Sequence, residues 1–121
     1  MVDIKQMLSR FLAIPGVRQA VLVGRDGLMI EGMTRDGKDD MEAVGAMTTA
    51  SFSAAEALGQ EISRGRLVGL LLEYEHGLLS VDPLGDFALV VTLSENASNI
   101  SRIRQLVKAS RSEILEALDI A

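Results

Sequence analysis

Three glycines follow an apolar run in the segment VLVGRDGLMIEG, residues 21 to 32, and a glycine-rich loop of this kind could hold phosphate. A phosphate-binding loop ends in Gly-Lys-Ser/Thr, and a dinucleotide-binding turn needs the order G-x-G-x-x-G before a helix. Here the glycines stand at 24, 27 and 32, no such lysine follows, and the next segment is strand-like. The segment therefore predicts a hairpin at Arg25-Asp26-Gly27, whose turn type needs positive φ angles at its central positions.

Few other residues have the types and spacing that catalysis or metal binding would need. The single histidine, His76, stands in a predicted turn beside Gly77, and the chain contains no cysteine. Asp36, Asp39 and Asp40 could hold a divalent metal, but their spacing does not match a calcium-binding loop. We therefore expect no catalytic residue, no metal site and no cofactor.

Several basic residues could recognise an anion. Arg25, Arg64 and Arg66 could reach the phosphates of another protein, as an arginine finger does. A basic cluster also lies in the first half of the last predicted helix, at Arg102, Arg104, Lys108 and Arg111. This cluster is either a solvated helix face or a site for an anion or an acidic partner.

Composition limits the classes of protein that this chain can belong to. The 121 residues include 48% apolar but only 3% aromatic residues, and the formal net charge is −5. An acidic chain with dispersed cations is not a general nucleic-acid binder. The apolar runs are too short to span a bilayer, and the start, MVDIKQML, does not resemble a signal peptide. We expect one domain over residues 1–121, located in the cytoplasm and not inserted in a membrane.

Helical periodicity appears in three segments. Residues 3–13 form an amphipathic pattern with Asp3 as N-cap, and a long helix is predicted over about 40–64. Asp39 and Glu42 have the spacing of a capping box at the start of that second helix. A third helix is predicted to begin near Asn96 or Ser98, with an apolar face at Ile100, Ile103, Leu106, Val107, Ile114, Ala117 and Leu118.

Strand patterns fill the remaining segments. The runs VRQAVLVG and LMIEGM flank the first hairpin, and three more strands are predicted from residue 66 to residue 93. The short glycine-containing connections of the second group favour an antiparallel meander. The sequence therefore predicts an α+β fold of order α-β-β-α-β-β-β-α. We expect the middle helix on one face of a five-stranded antiparallel sheet and the terminal helices on the other.

The middle helix carries two apolar stripes at about 100° per residue. The stripe that we expect to cover the sheet contains Val44, Met47, Thr48, Ser51, Ala55, Leu58 and Ile62. A row of alanines lies nearly opposite, at Ala43, Ala46, Ala50, Ala54 and Ala57, and a polar strip contains Glu42, Thr49, Glu56 and Gln60. Alanine is common in helices for its propensity alone. The row nevertheless favours contact with a second helix, most economically that of a symmetry mate in a dimer.

The chain resembles the roadblock/dynein light chain family over residues 3 to 118. The motifs that carry the resemblance are IPGV at 14–17, DG at 26–27, the alanine-rich helix, VDPLGDFALVVTL at 81–93 and NISRIRQLV at 99–107. The resemblance implies a longin-like or profilin-like sandwich that homodimerises by pairing middle helices and joining neighbouring strands. By position, the implied interface residues are Ala43, Ala46, Met47, Ala50, Ala54, Ala57, Leu67, Leu70 and Leu72.

The resemblance also implies a function. Prokaryotic members are similar to non-enzymatic partners and regulators of small Ras-like GTPases, and no catalytic residue is carried over. Because the sequence stops after the last helix, we expect binding of a GTPase rather than full activation of it. A small-molecule sensor domain and a GTPase-independent adaptor are the alternatives.

Overall fold

The helices and strands follow the predicted order α-β-β-α-β-β-β-α, which confirms the fold class. The structure is a computed structural model that describes residues 3–35, 37 and 40–118. Its elements are α1 (Ile4–Leu12), β1 (Val17–Gly24), β2 (Met29–Thr34), α2 (Met41–Glu61), β3 (Leu70–Tyr74), β4 (Gly77–Leu84), β5 (Ala88–Ser94) and α3 (Ile100–Ala117), the last preceded by a 3₁₀ turn at Ala97–Asn99.

The five strands form one antiparallel sheet in the order β2-β1-β5-β4-β3. The adjacent strands β1 and β5 place Val21 opposite Val91. The β3-β4-β5 segment is the predicted meander, and its last strand pairs with β1 of the first hairpin. Consequently β2 and β3 are the two edge strands.

Each face of the sheet has its own apolar core. Helices α1 and α3 cover one face, where Phe11, Leu22 and Ile103 are fully buried. Helix α2 covers the other face, where Phe52 packs with Val23 and Val81. The prediction that the middle helix and the terminal helices lie on opposite faces is therefore confirmed.

The first hairpin has the predicted position, but its turn is longer than a two-residue turn. The Gly24 amide donates to the Leu28 carbonyl at 2.9 Å, and the Gly27 amide donates to the Gly24 carbonyl at 2.9 Å. Among the turn residues only Gly27 has a positive φ, of 89°. The side chain of Asp26 accepts a hydrogen bond from the Leu28 amide at 3.1 Å, which fixes the other half of the turn.

The ends of α2 differ from the prediction. Its N-cap is Asp40, whose side chain accepts from the Ala43 amide at 3.1 Å, whereas Asp39 lies outside the described residues. The helix ends at Glu61 rather than near residue 64 because Ser63 adopts a left-handed φ of 56°. The Arg64 amide then donates to the Gly59 carbonyl at 2.9 Å, which satisfies a carbonyl of the last turn.

Two further boundaries are refined by the structure. Strand β3 begins at Leu70, so residues 66–69 are not part of the strand that the sequence predicted from residue 66. Asn96 caps the 3₁₀ turn through the Ser98 amide at 3.0 Å, and α3 itself begins at Ile100. The Asp3 side chain caps α1 as predicted, through the Lys5 amide at 2.9 Å.

Candidate interface site

Helix α2 rests on the sheet through small and hydroxyl-bearing residues together with one aromatic ring. Gly45, Thr48, Thr49 and Phe52 are its buried residues. At Gly45 a Cβ atom would lie 3.2 Å from Cγ2 of Val23, so glycine lets the helix approach β1 closely. Phe52 is fully buried and supplies the largest apolar side chain of this core.

The prediction of which side of α2 covers the sheet is therefore wrong, because the buried side is rotated around the helix axis from the predicted stripe. Of that stripe only Thr48 is buried, whereas Met47, Leu58 and Ile62 are 71%, 59% and 55% exposed. The polar strip lies nearer the sheet than expected, since Thr49 is buried. The reason is local satisfaction of the hydroxyl groups, because a threonine that is hydrogen-bonded within its own helix can be buried at little cost.

Both threonines have such local partners. Thr48 donates its hydroxyl to the Val44 carbonyl at 2.6 Å, and Thr49 donates to the Gly45 carbonyl at 2.8 Å. Phe52 belonged to neither predicted stripe. As the only large aromatic residue in the helix, it is the signal that could have identified the buried side.

The alanine row lies on the side of α2 that faces away from the sheet. All of its members are exposed: Ala43, Ala46, Ala50, Ala54 and Ala57. At about 100° per residue the row stands opposite Phe52, and Met47 lies on its flank. The sequence thus identified the outward face of the helix correctly, whereas its role in an interface stays a prediction.

A second incompletely covered surface lies at the β3 edge, where apolar side chains on the α2 side of the sheet remain partly exposed. Strand β3 pairs with β4, and its other edge has no strand partner among the described residues. Leu67, Leu70 and Leu72 pack against the core beneath α2 but remain partly exposed. The cause is the position of α2, which lies over β1, β2 and β5 rather than over β3.

Arg25, one of the three candidate arginine fingers, is already engaged within the chain. Its guanidinium forms an ion pair with the Glu56 carboxylate and lies 5.2 Å from the centroid of the Phe52 ring. The pair fastens the first hairpin to α2. Arg25 is therefore held against the protein rather than extended toward a partner.

The other candidate arginines are exposed. Arg66 forms a 3.4 Å ion pair with Asp86, in which both side chains are more than four-fifths exposed. The Arg64 guanidinium donates to the neighbouring Ser63 carbonyl at the limiting distance of 3.5 Å. Both arginines lie between the end of α2 and the start of β3, so they border the surface described above.

The remaining sequence candidates are the single histidine and the three aspartates. The His76 side chain is 88% exposed and lies 3.6 Å from the Glu75 carboxylate in the β3-β4 turn. Within the described ranges no group of three His, Asp or Glu side chains could hold a metal ion. Of the three aspartates considered as metal ligands, Asp36 and Asp39 lie outside those ranges, and Asp40 caps α2.

Asp82 is a buried carboxyl that sequence reasoning did not identify. It lies on the α3 side of β4, is 5% exposed, and accepts a hydrogen bond from the Ser80 hydroxyl at 3.0 Å. Burial raises the pKa of Asp82 above its ordinary value of 3.8, although the Ser80 hydrogen bond and the guanidinium groups of Arg104 and Arg111 act in the opposite direction.

The basic cluster of α3 is divided by the fold into separate groups. Arg104 and Arg111 lie toward β4, where Arg111 donates to the Pro83 carbonyl at 3.3 Å. Arg102 faces the opposite flank of the helix, toward the end of α1. The four residues of the predicted cluster therefore do not converge on one anion site.

Comparison with known proteins agrees with this arrangement. An uncharacterized protein of Methanocaldococcus jannaschii, MJ0310, is 35% identical over 111 residues, which cover 92% of this chain and 96% of that protein. MglB of Myxococcus xanthus superposes with a TM-score of 0.82 at 15% identity, over 99% of this chain and 100% of that one. The gliding protein MglB of Thermus thermophilus also gives 0.82, at 18% identity, over 97% of this chain and 89% of the other.

The superpositions on the two MglB structures show that the fold is shared, whereas the match to a family sequence model identifies the family. No helix within the described ranges has the length and apolar character to cross a membrane. The family model for the Roadblock/LC7 domain matches residues 3–94, which include α1, α2 and the whole sheet. The chain therefore belongs to the Roadblock/LC7 domain family.

Proposed function

We propose that this chain is a homodimer in which two α2 helices pack across a two-fold axis and two β3 edges join the sheets. The observation that carries the proposal is that the exposed alanine row lies near the β3 edge, which has no strand partner in the described part of the chain. A single chain leaves both surfaces incompletely covered. A second copy, related by two-fold symmetry, would cover both with the same elements.

Three physical effects favour this association. Alanine side chains at positions such as Ala50 and Ala54 allow a second helix backbone to approach closely. Burial of apolar area, including the exposed Met47 and the half-buried Leu70 and Leu72, contributes about 25 cal/mol per Å². Pairing of the β3 edges would also satisfy backbone groups that otherwise remain a template for aggregation.

We further propose that the dimer binds a small Ras-like GTPase in the cytoplasm and regulates its nucleotide cycle or its location. Support comes from the family, whose prokaryotic members resemble regulators of such GTPases, and from the likeness to two MglB structures. A regulator of this kind needs no nucleophile of its own. It needs different affinities for the two nucleotide states, so that binding shifts the switch loops of the GTPase.

The dimer is tested by placing a charge in the alanine row. Ala50→Glu should give a monomer in size-exclusion chromatography with light scattering, because an unpaired carboxylate would be buried between the helices. Ala109→Glu is the matched control, since Ala109 is an exposed alanine of α3 on the opposite side of the sheet. A stable dimer of Ala50→Glu, or a monomeric unmodified chain, would contradict the proposed interface.

The GTPase is tested by affinity capture from a lysate of the source organism. The unmodified chain, the Ala50→Glu variant and a Lys5→Glu control, which changes an exposed residue of α1 on the other side of the sheet, would each be used with GDP and with a non-hydrolysable GTP analogue. We expect a Ras-like GTPase to be enriched with the analogue and to be reduced for the Ala50→Glu variant. The purified GTPase should then change its hydrolysis or exchange rate when the dimer is added.

The alternatives give different results. Enrichment of other proteins without any GTPase would support the adaptor function, and empty lanes with a ligand-induced rise in melting temperature would support the small-molecule sensor. Because light scattering tests the dimer independently, failure of the GTPase proposal would not be confused with failure of the dimer.

A further inference from the structure

Positive charge is concentrated on the layer formed by α1 and α3. Although the chain as a whole has a net charge of −5, the described parts of this layer carry six cations and three carboxylates. The cations are Lys5, Arg10, Arg102, Arg104, Lys108 and Arg111, and the carboxylates are Asp3, Glu113 and Glu116. By contrast, α2 contains three glutamates and no lysine or arginine.

A groove of about 340 Å³ lies in this layer, between the end of α1 and the first half of α3. Its apolar part is lined by Ile14, Leu106 and Ala109, and its polar part by Arg10, Arg102 and Gln105. The α3 residues of the groove follow the spacing i, i+3, i+4 and i+7, so they share one face of that helix. The groove is thus a shallow, open depression in which apolar residues lie beside one arginine from each helix.

The two arginines differ in how far the chain itself neutralises them. Arg10 forms a 3.5 Å ion pair with Glu113, which joins α1 to α3 at one end of the groove. For Arg102, no carboxylate of the described residues lies within ion-pair distance, and residues 97–112 contain no Asp or Glu. Arg102 therefore presents an uncompensated guanidinium beside an apolar surface.

We propose that this groove docks an acidic, amphipathic peptide segment of a partner protein. A carboxylate of the segment would form a charge-assisted, bidentate pair with Arg102, and its apolar side chains would pack on Leu106 and Ala109. The groove lies across the sheet from α2, so this contact leaves the alanine row free. The proposal does not depend on the proposed homodimer or on a GTPase.

The shape of the groove favours a peptide over a membrane or a nucleic acid. Binding to a bilayer requires apolar side chains that protrude, whereas Ile14 is only 5% exposed and lies in the wall of the groove. A nucleic-acid site neutralises several consecutive phosphates, whereas this groove offers two arginines, of which Arg10 is already paired with Glu113. A peptide with alternating acidic and apolar positions matches both the charge and the mixed polar and apolar lining of this open groove.

The test is a selection of phage-displayed random peptides on the unmodified protein, followed by fluorescence anisotropy with the enriched peptides. We expect peptides that combine Asp or Glu with apolar residues. Their affinity should fall roughly tenfold to a hundredfold for Arg102→Glu, which corresponds to the loss of one charge-assisted hydrogen-bonded pair. Ala109→Glu, which places a carboxylate in the groove without removing an arginine, should also weaken binding.

Lys5→Glu is the matched control, because it makes the same change of charge in the same helical layer at a residue that does not line the groove. The proposal would be overturned by enriched peptides that bind Arg102→Glu and Lys5→Glu equally well, or by the absence of any enriched peptide. Flotation with phosphatidylserine and phosphatidylcholine vesicles is the second measurement. Vesicle binding that Arg102→Glu abolishes would assign the groove to a membrane instead.

Discussion

The two faces of the sheet are covered to different extents. On one face, α1 and α3 together bury an apolar core that extends from Val17 on β1 to Leu84 on β4. On the other face α2 covers β1, β2 and β5, and Leu70 and Leu72 of β3 remain half-buried. The core beneath α1 and α3 is therefore more completely covered within one chain, and the core beneath α2 is where a second chain would bury most additional apolar surface.

The faces also differ in how they bury polar groups. Beneath α2, Thr48 and Thr49 are satisfied by carbonyls of their own helix. Beneath α3, Asp82 depends on Ser80 of its own strand and on arginines of another element. Local satisfaction is insensitive to pH, whereas a buried carboxyl makes the stability of its face depend on protonation.

The largest expected effect is the loss of an aromatic ring from either core. Phe11→Ala and Phe52→Ala should each lower the free energy of unfolding by about 3–5 kcal/mol, because both rings are fully buried. Phe87→Ala is the control, since the Phe87 ring is 55% exposed and its loss should cost about 0.5 kcal/mol or less. Urea denaturation measures all three. A loss below about 1 kcal/mol for Phe52→Ala would show that α2 does not stabilise its face as the packing indicates.

The second effect is the dependence of the melting temperature on protein concentration, which we expect substitutions on the two faces to change differently. If α2 forms the dimer interface, the melting temperature of the unmodified chain should rise with protein concentration, since association stabilises only the folded state. A tenfold increase in concentration is worth about 1.4 kcal/mol per dimer. Ala50→Glu should remove this dependence, and Ala109→Glu should retain it. Equal slopes for the two variants in calorimetry would remove the distinction between the faces.

Most of the fold could be predicted from periodicity and turn residues. The strand-like run VRQAVLVG, the Asp26-Gly27 turn and the N-cap Asp3 each encode their structure locally, and all three are found where expected. The phase of α2 could not be read in this way. Alanine and methionine residues of α2 lie on several sides of the helix, so periodicity does not single out the buried side. That side is set by the close packing of Gly45 on β1 and by the contact of Phe52 with the sheet.

The candidate site was predicted only in part, for a related reason. The outward alanine row follows from spacing within a single helix. Asp82 and the groove at Arg102, in contrast, depend on which strand lies beneath α3 and on how α1 ends beside it. Contacts between elements distant in sequence set the burial of Asp82 and the isolation of Arg102, and no local pattern records them.

A smaller effect concerns the hairpin that fastens the α2 face. Gly27→Val should destabilise the protein by about 1–2 kcal/mol, because the φ of 89° at Gly27 is unfavourable for a β-branched residue. A Cβ at this position would also lie 3.9 Å from Cα of Ala46, an ordinary contact, so backbone strain is the main cause. Gly27→Asn should lose less, since asparagine tolerates the left-handed region. Equal melting temperatures for Gly27→Val and the unmodified chain would contradict the strain that this turn conformation implies.

The smallest effect is a pH dependence confined to the α3 face. Because the pKa of Asp82 is raised by burial, the folded state binds a proton more tightly than the unfolded state, whose carboxyl has an ordinary value near 3.8. The free energy of unfolding should therefore fall as pH rises from that value through the native pKa. Asp82→Asn removes the titrating group, so its stability relative to the unmodified chain should increase over the same interval. Ser80→Ala removes a hydrogen bond that lowers the pKa of Asp82. The pH range over which the free energy of unfolding falls should therefore extend to higher pH in this variant. Parallel stability curves for Asp82→Asn and the unmodified chain, measured by urea denaturation between pH 4 and pH 8, would show that burial of this carboxyl does not distinguish the two faces.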